Sequence, residues 1–252
     1  DNPITIHLTE GIYSPSNNNE VFPIIMISNV NLVGDGEPLT MLDAEQTGQV
    51  LFFHNLTGNS IDGMTITGGQ FITNLWNDWY GSGIDSRYSN IIITNVAITE
   101  NLAKSGAGIK CEYSDMTLEN VLIYNNTVWY SGGGASFYNS NILLENVIID
   151  GNEAHDYGGG ATIYGSNATL RDVTITNNIA IHSWQETLGR GGGLSISNCD
   201  PLLENVSIIN NAAGYSGGGI EIFGGADDPS FSANPILNNV FIGSNTADSY
   251  GG

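Results

Sequence analysis

The chain has 252 residues, 33 of them Gly and 31 Asn, and its 26 Asp and Glu outweigh 5 Lys and Arg to leave a formal charge of −21. Glycine stands at nearly twice its usual share of about 7%, yet 40% of the residues are hydrophobic, so the chain can build a core and is no disordered acidic tail. So few cations exclude nucleic acid and anionic lipid as partners, and no apolar run approaches the ~20 residues that cross a bilayer, so this segment does not insert into a membrane.

Residues 1–252 read as one domain, with less regular opening coils over 1–60 and a plain repeat over 61–252. In chain order, Met64 aligns with the first repeat position, and Val96, Val121, Val147, Val173, Val206 and Val240 follow at steps of 25, 26, 26, 33 and 34 residues. A second landmark keeps that step: Asn101, Asn126, Asn152, Asn178, Asn211 and Asn245. A third is glycine, as Gly106 and Gly108, then triplets ending at Gly134, Gly160, Gly193 and Gly219, with Gly251 and Gly252 opening another. A period near 25 with short alternating apolar segments is too short for a propeller blade and lacks helical periodicity. It predicts an all-β parallel β-helix, a single-stranded solenoid of roughly nine or ten coils.

After each glycine cluster, positions +1 and +3 are mostly apolar: Ile109 and Cys111, Ala135 and Phe137, Ala161 and Ile163, Leu194 and Ile196, Ile220 and Ile222. The two-residue period of a strand points these inward and turns +2 and +4 outward. The outward set is Lys110 and Glu112, Ser136 and Tyr138, Thr162 and Tyr164, Ser195 and Ser197, Glu221 and Phe223. Ahead of the repeat valines stand Asn95, Asn120, Asn146, Asp172, Asn205 and Asn239. Asn tolerates left-handed backbone angles and bonds neighbouring peptides, so this series is expected at a corner, forming a ladder from coil to coil as the series Asn101 to Asn245 does. Cys111 and Cys199 fall in coils three steps apart, roughly 14 Å at the inter-strand spacing, which is too far for a disulfide.

The Gly-Gly-Gly-[Ala/Ile/Leu] strand start and the Ile-x-x-Asn-x-Ala segment before it resemble the repeats of right-handed, pectate-lyase-like parallel β-helix proteins, especially the polymorphic outer membrane protein repeats of bacterial adhesins, over roughly residues 80–252. Ile98, Ile123, Ile149, Ile175, Ile208 and Ile242 stand where those repeats usually carry Phe. The stretch Ile4–Asp43, with Glu10-Gly11-Ile12-Tyr13 and Asn29-Val30-Asn31-Leu32-Val33-Gly34, resembles the opening coils of extracellular β-helix proteins, enzymes included. The resemblance implies an extracellular or cell-surface location. The bare ends of the repeat suggest a piece of a longer protein, with further coils or end-to-end stacking as partners.

Insertions in a solenoid become loops and often line a binding face. One precedes Gly83 and holds Trp76, Asp78, Trp79 and Tyr80; a second precedes Gly193 and holds His182, Trp184 and Glu186; a third, Gly224 to Ala233, carries Asp227 and Asp228. The first two stand four coils apart, about 19 Å, and wall a cleft. Tyr80, Tyr130, Tyr157, Tyr215 and Tyr250 recur just before the glycines, with Trp129 beside them. Such rings suit the apolar faces of sugars, and Trp76, Trp79, Tyr80, Trp129, Tyr130, Tyr157 and Trp184 are the ligand-binding candidates. For catalysis, the resemblance to β-helix polysaccharide lyases and hydrolases implies Arg87 or Lys110 as the candidate base, with Asp78, Asp85 or Glu112 holding calcium, an ion that the acidic composition also allows, or alternatively Asp78 and Glu186 as a carboxylate pair. Opposite charges on neighbouring strands also make plain cross-strand pairs. His7, His54, His155 and His182 show no metal spacing. No compact Asp-Asp or Gly-His-Gly constellation of the pectin-cleaving hydrolases is present. These features favour a non-catalytic surface module, adhesin-type or structural, that binds a polysaccharide or cell-surface glycan between loops 70–80 and 181–190; the alternative is a polysaccharide lyase or glycoside hydrolase in the same cleft.

Overall fold

A computed structural model describes residues 3–71, 80–181, 189–224 and 232–252. Trp76, Asp78, Trp79, His182, Trp184, Glu186, Asp227 and Asp228 lie outside the described residues. Short parallel strands stack into three sheets, and every pairing joins one coil to the next. One turn shows the plan: Ile109–Glu112 lies in an eight-stranded face sheet, Asp115–Tyr124 in a 14-stranded long sheet, and Thr127–Ser131 in a seven-stranded ladder sheet, before Ala135–Tyr138 returns to the face sheet 26 residues on. The long sheet threads nine successive coils from Ile4–Leu8 to Ile236–Asn238 among the described residues, so the chain is a parallel β-helix. One helical turn, Pro15–Asn18, interrupts the β-structure; Ser14 caps it.

Each coil bends where the backbone enters the left-handed region. Inside the long sheet the bend is at Asn95, Asn120, Asn146, Asp172, Asn205 and Asn239, all with φ between 52° and 56°. Asn is among the few residues that adopt this conformation cheaply. Their side chains reach coil to coil: Asn120 Nδ2 donates to Asn95 Oδ1 at 3.2 Å, Asn146 to Asn120 at 2.7 Å, Asn205 to Asp172 at 3.0 Å and Asn239 to Asn205 at 2.8 Å. Asp172 has no amide to pass on, so the ladder restarts there.

A second series lies buried where the long sheet turns into the ladder sheet. Nδ2 of Asn101, Asn126, Asn152, Asn178 and Asn211 donates to Oδ1 of the next member, each at 3.0 Å. The other amide hydrogen goes to a carbonyl of the preceding coil, as in Asn126 to Ile98 and Asn152 to Ile123. Each Oδ1 also accepts a backbone N–H. A column of buried polar groups is thereby satisfied without water, the condition under which burying it is tolerable.

The interior is apolar. Val96, Val121, Val147, Val173 and Val206 are at most 2% exposed, and Ile109, Cys111, Ala135, Phe137, Ala161, Ile163, Leu194 and Ile196 fill the inward slots of the face sheet. Fully burying one such side chain is worth about 1.5–3 kcal/mol. The register carries this inward set on to Ile220 and Ile222, the partners of Leu194 and Ile196. Both cysteines are free, and burial pushes the Cys111 thiol up to about 12.

Candidate functional site

The outer side of the face sheet carries the candidate site. Its register aligns Asp85, Lys110, Ser136, Thr162, Ser195 and Glu221 in one row. Arg87, Glu112, Tyr138, Tyr164, Ser197 and Phe223 form the next. Charges occupy the two ends and hydroxyls and rings the middle.

At the first end Arg87 grips Asp85 with two bonds, Nε to Oδ1 at 2.9 Å and Nη2 to Oδ2 at 3.2 Å. Asp85 Oδ2 also accepts from Gln49 Nε2 at 3.1 Å and from the Gly81 N–H at 2.9 Å. Glu112 Oε2 lies 3.5 Å from Lys110 Nζ and 3.9 Å from Arg87 Nε, and the guanidinium sits 4.0 Å over the Tyr80 ring. The structure thus joins Asp85, Arg87, Lys110, Glu112 and Tyr80 in one cluster, but not as an open site: Asp85 is fully buried and Lys110 only 5% exposed. Outward direction follows from strand period, whereas cover comes from Gln49, Gly81 and Tyr80, which the period does not report. Burial alone would lower Arg87, but the bonds and charge of Asp85 outweigh it and the guanidinium is held above its ordinary value. Burial does prevail at Lys110, which is lowered against the opposing pull of Glu112 and Asp85.

The middle is a cleft of about 460 Å³ floored by Ser136, Thr162 and Ser195 and walled by Tyr138, Tyr164, Tyr157 and Phe223. That volume falls in the range of small-ligand sites, about 300–1,000 Å³. Tyr157 and Phe223 meet edge to face at 5.8 Å and bound one side. Burial raises both Tyr138 and Tyr157, so each stays a neutral phenol. Beyond them Arg190 lies 4.8 Å from the Tyr215 ring and 5.1 Å from Phe223, with Nη1 3.6 Å from Glu221 Oε1.

The tyrosines before the glycines do not form one row. Tyr80 packs on Phe71, Tyr157 on Phe223 and Tyr215 on Tyr250. Trp129 and Tyr130 belong to the ladder sheet, where Trp129 is 54% exposed and lies against His155.

The family described as the right handed beta helix region matches residues 11–251. The chain belongs to this family. A sequence comparison with curated proteins finds no match. Among solved structures, this right-handed β-helix is similar to a pectin methylesterase mutant in complex with a hexasaccharide, at TM-score 0.52 and 8% identity over 99% of this chain and 84% of that one. The A-modules of two Azotobacter vinelandii mannuronan C-5 epimerases, AlgE6 and AlgE4, align at TM-scores 0.38 and 0.36 with 13% and 12% identity, over 99% and 98% of this chain and 89% and 90% of theirs. The first similarity carries the fold and nothing finer.

Two features of this β-helix escape a reading of the repeat. Stacked tyrosines run along the outer end of the face sheet: Tyr88 on Tyr113 at 5.2 Å and 5°, Tyr113 against Tyr138 at 5.5 Å and 83°, Tyr138 on Tyr164 at 5.1 Å and 5°, with His54 edge-on to Tyr88. The ribbon spans five successive coils and adjoins the cleft through Tyr138 and Tyr164. Tyr88 and Tyr113 hold it with φ of 52° and 49°, where other coils carry Asn139, Gly165 and Asn198. A left-handed backbone costs a bulky residue roughly 1–2 kcal/mol. Just after this corner Ser89, Ser114, Ser140 and Ser166 form a buried hydroxyl ladder, each Oγ taking the N–H of the preceding member from Ser114 onward, and Cys199 occupies the next step with its Sγ on the Ile163 carbonyl. Among the described residues no group of three or more His, Cys, Asp or Glu is placed to hold a metal ion, and no helix is long and apolar enough to cross a membrane.

Proposed function

We propose that this β-helix is an extracellular or cell-surface module that binds a polysaccharide segment in the face-sheet cleft without cleaving it. The observation that carries the reading is the pairing of an uncharged, hydroxyl-floored cleft with a ribbon of stacked tyrosines. Rings offer flat apolar area to the C–H faces of sugars, and hydroxyls answer sugar hydroxyls. The acids and bases at the cleft's ends are spent on one another, whereas a general acid or base must reach the proton it moves. A pectin methylesterase mutant of similar fold is complexed with a hexasaccharide, so a β-helix can present a saccharide site.

The lowered Lys110 favours a second reading, an eliminative or hydrolytic site at the first end of the row. Its ion pairing with Glu112 weighs against it.

The test is a polysaccharide panel read at once for binding and for product release. Binding without turnover, weakened about tenfold by Tyr164→Ala and unmoved by Lys110→Met, is expected. Turnover abolished by Lys110→Met would replace the first reading with the second.

A further inference from the structure

We infer that the cleft selects neutral glycans and rejects polyuronates, an inference that rests on the polysaccharide reading above and narrows it to a substrate class. Among the described residues the cleft's lining carries no charged side chain, and its floor presents the hydroxyls of Ser136, Thr162 and Ser195. The cations bordering this face are Arg87, Lys110 and Arg190, and each faces a carboxylate of the chain's own: Arg87 has Asp85, Lys110 has Glu112 and Arg190 has Glu221. Two cations and two acids make the first cluster neutral, and one of each makes the second neutral. Arg87 is further held under Tyr80, and Arg190 between Tyr215 and Phe223.

A uronate chain brings one carboxylate per sugar. Entering the cleft, it would shed hydration without gaining a counter-charge, the costly case for a buried ion. To recruit Arg87, Lys110 or Arg190 it would have to strand Asp85, Glu112 or Glu221. It would also approach through the field of a chain with a net charge of −21. A neutral chain meets none of these costs. Its hydroxyls find Ser136, Thr162 and Ser195 repeating at the coil step of ~4.8 Å, and its apolar faces find Tyr138 and Tyr164.

Calorimetric titration of the full chain with neutral gluco- and manno-oligosaccharides and with oligogalacturonates, at low and high salt and with and without calcium, tests the inference. A neutral series is expected to bind with an affinity flat in salt, and the oligogalacturonates at least about tenfold more weakly, worst at low salt where repulsion is least screened. Thr162→Lys, a change at an outward, half-buried floor position, should raise oligogalacturonate affinity about tenfold and lower that for the neutral series. Tighter binding of oligogalacturonate by the unaltered chain, with or without calcium, overturns the selectivity while leaving polysaccharide binding standing. An unchanged preference in Thr162→Lys shows that the cleft is not the site and overturns the inference equally. Silence toward every oligosaccharide removes the polysaccharide reading itself.

Discussion

Asn152 uses every hydrogen-bonding group on its side chain. It donates to Asn178 Oδ1 and to the Ile123 carbonyl, and its own Oδ1 takes both the N–H and the Nδ2 of Asn126. Asn152→Ala therefore orphans buried donors and acceptors in two neighbouring coils, and an unsatisfied buried group costs about 1–3 kcal/mol. Denaturant unfolding should show a loss of about 3 kcal/mol or more. Asn120→Gly, at the exposed bend where φ is 55°, removes an amide that water can replace and keeps a residue content with that angle, so a loss under about 1 kcal/mol is expected. Equal losses would mean that the buried ladder owes nothing to its burial. Tyr113 supplies the opposite case. Tyr113→Asn relieves a left-handed tyrosine but forfeits a stacked ring worth about 0.5–1.5 kcal/mol, so stability should move by less than about 1 kcal/mol. Glycan affinity should nevertheless fall several-fold, because the ribbon loses its second ring. A ring kept in a strained backbone with no net gain in stability is the mark of a residue serving a surface.

At the level of the strand and its corners, the glycine triplets have a steric reason. A Cβ on Gly160 would stand 2.5 Å from the Gly193 carbonyl oxygen and 3.0 Å from Asn178 Nδ2, and Gly134 faces Gly160 and Asn152 in the same way. The third glycine of each triplet thus lets the face-sheet strand start against the next coil and the amide ladder together. Gly160→Ala should cost about 1–3 kcal/mol as overpacking, and a stability within error of the unaltered chain would show that the coils can part without penalty. The coil, its inward slots and the three landmark series were all legible in the sequence, because each recurs at one step and coil stacking demands equivalence. The cover over Asp85 was not, since Gln49 and Gly81 reach it from loops of irregular spacing. Nor was the tyrosine ribbon: Tyr88 and Tyr113 stand five residues past the glycines and Tyr138 and Tyr164 four, so a fixed offset splits one surface into two. The serine ladder hid for a similar reason, its members reading as ordinary turn residues and its last step being a cysteine.

Across the whole molecule, each coil touches only its neighbours, so stability is a sum of coil and interface contributions and need not be uniform. Leu118, Leu144, Leu170 and Leu203, like Ile123, Ile149, Ile175 and Ile208, are at most 1% exposed in coil after coil. Each of these coils is covered on both sides and gains two interfaces. Native-state hydrogen exchange should grade with burial. Backbone amides of the strands around Ile98, Ile123 and Ile149, which are fully buried, should exchange slowest, and those at the exposed corners around Asn95 and Asn120 faster. The gradient has a second signature. Asn152→Ala should speed exchange most in the coils bonded to it, those of Ile123 and Asn178, and hardly at all near Ile4–Leu8, because coupling in a one-dimensional stack decays from neighbour to neighbour. Uniform exchange, rising everywhere after that one substitution, would instead show that the amide ladder and the shared core bind all coils into a single cooperative unit.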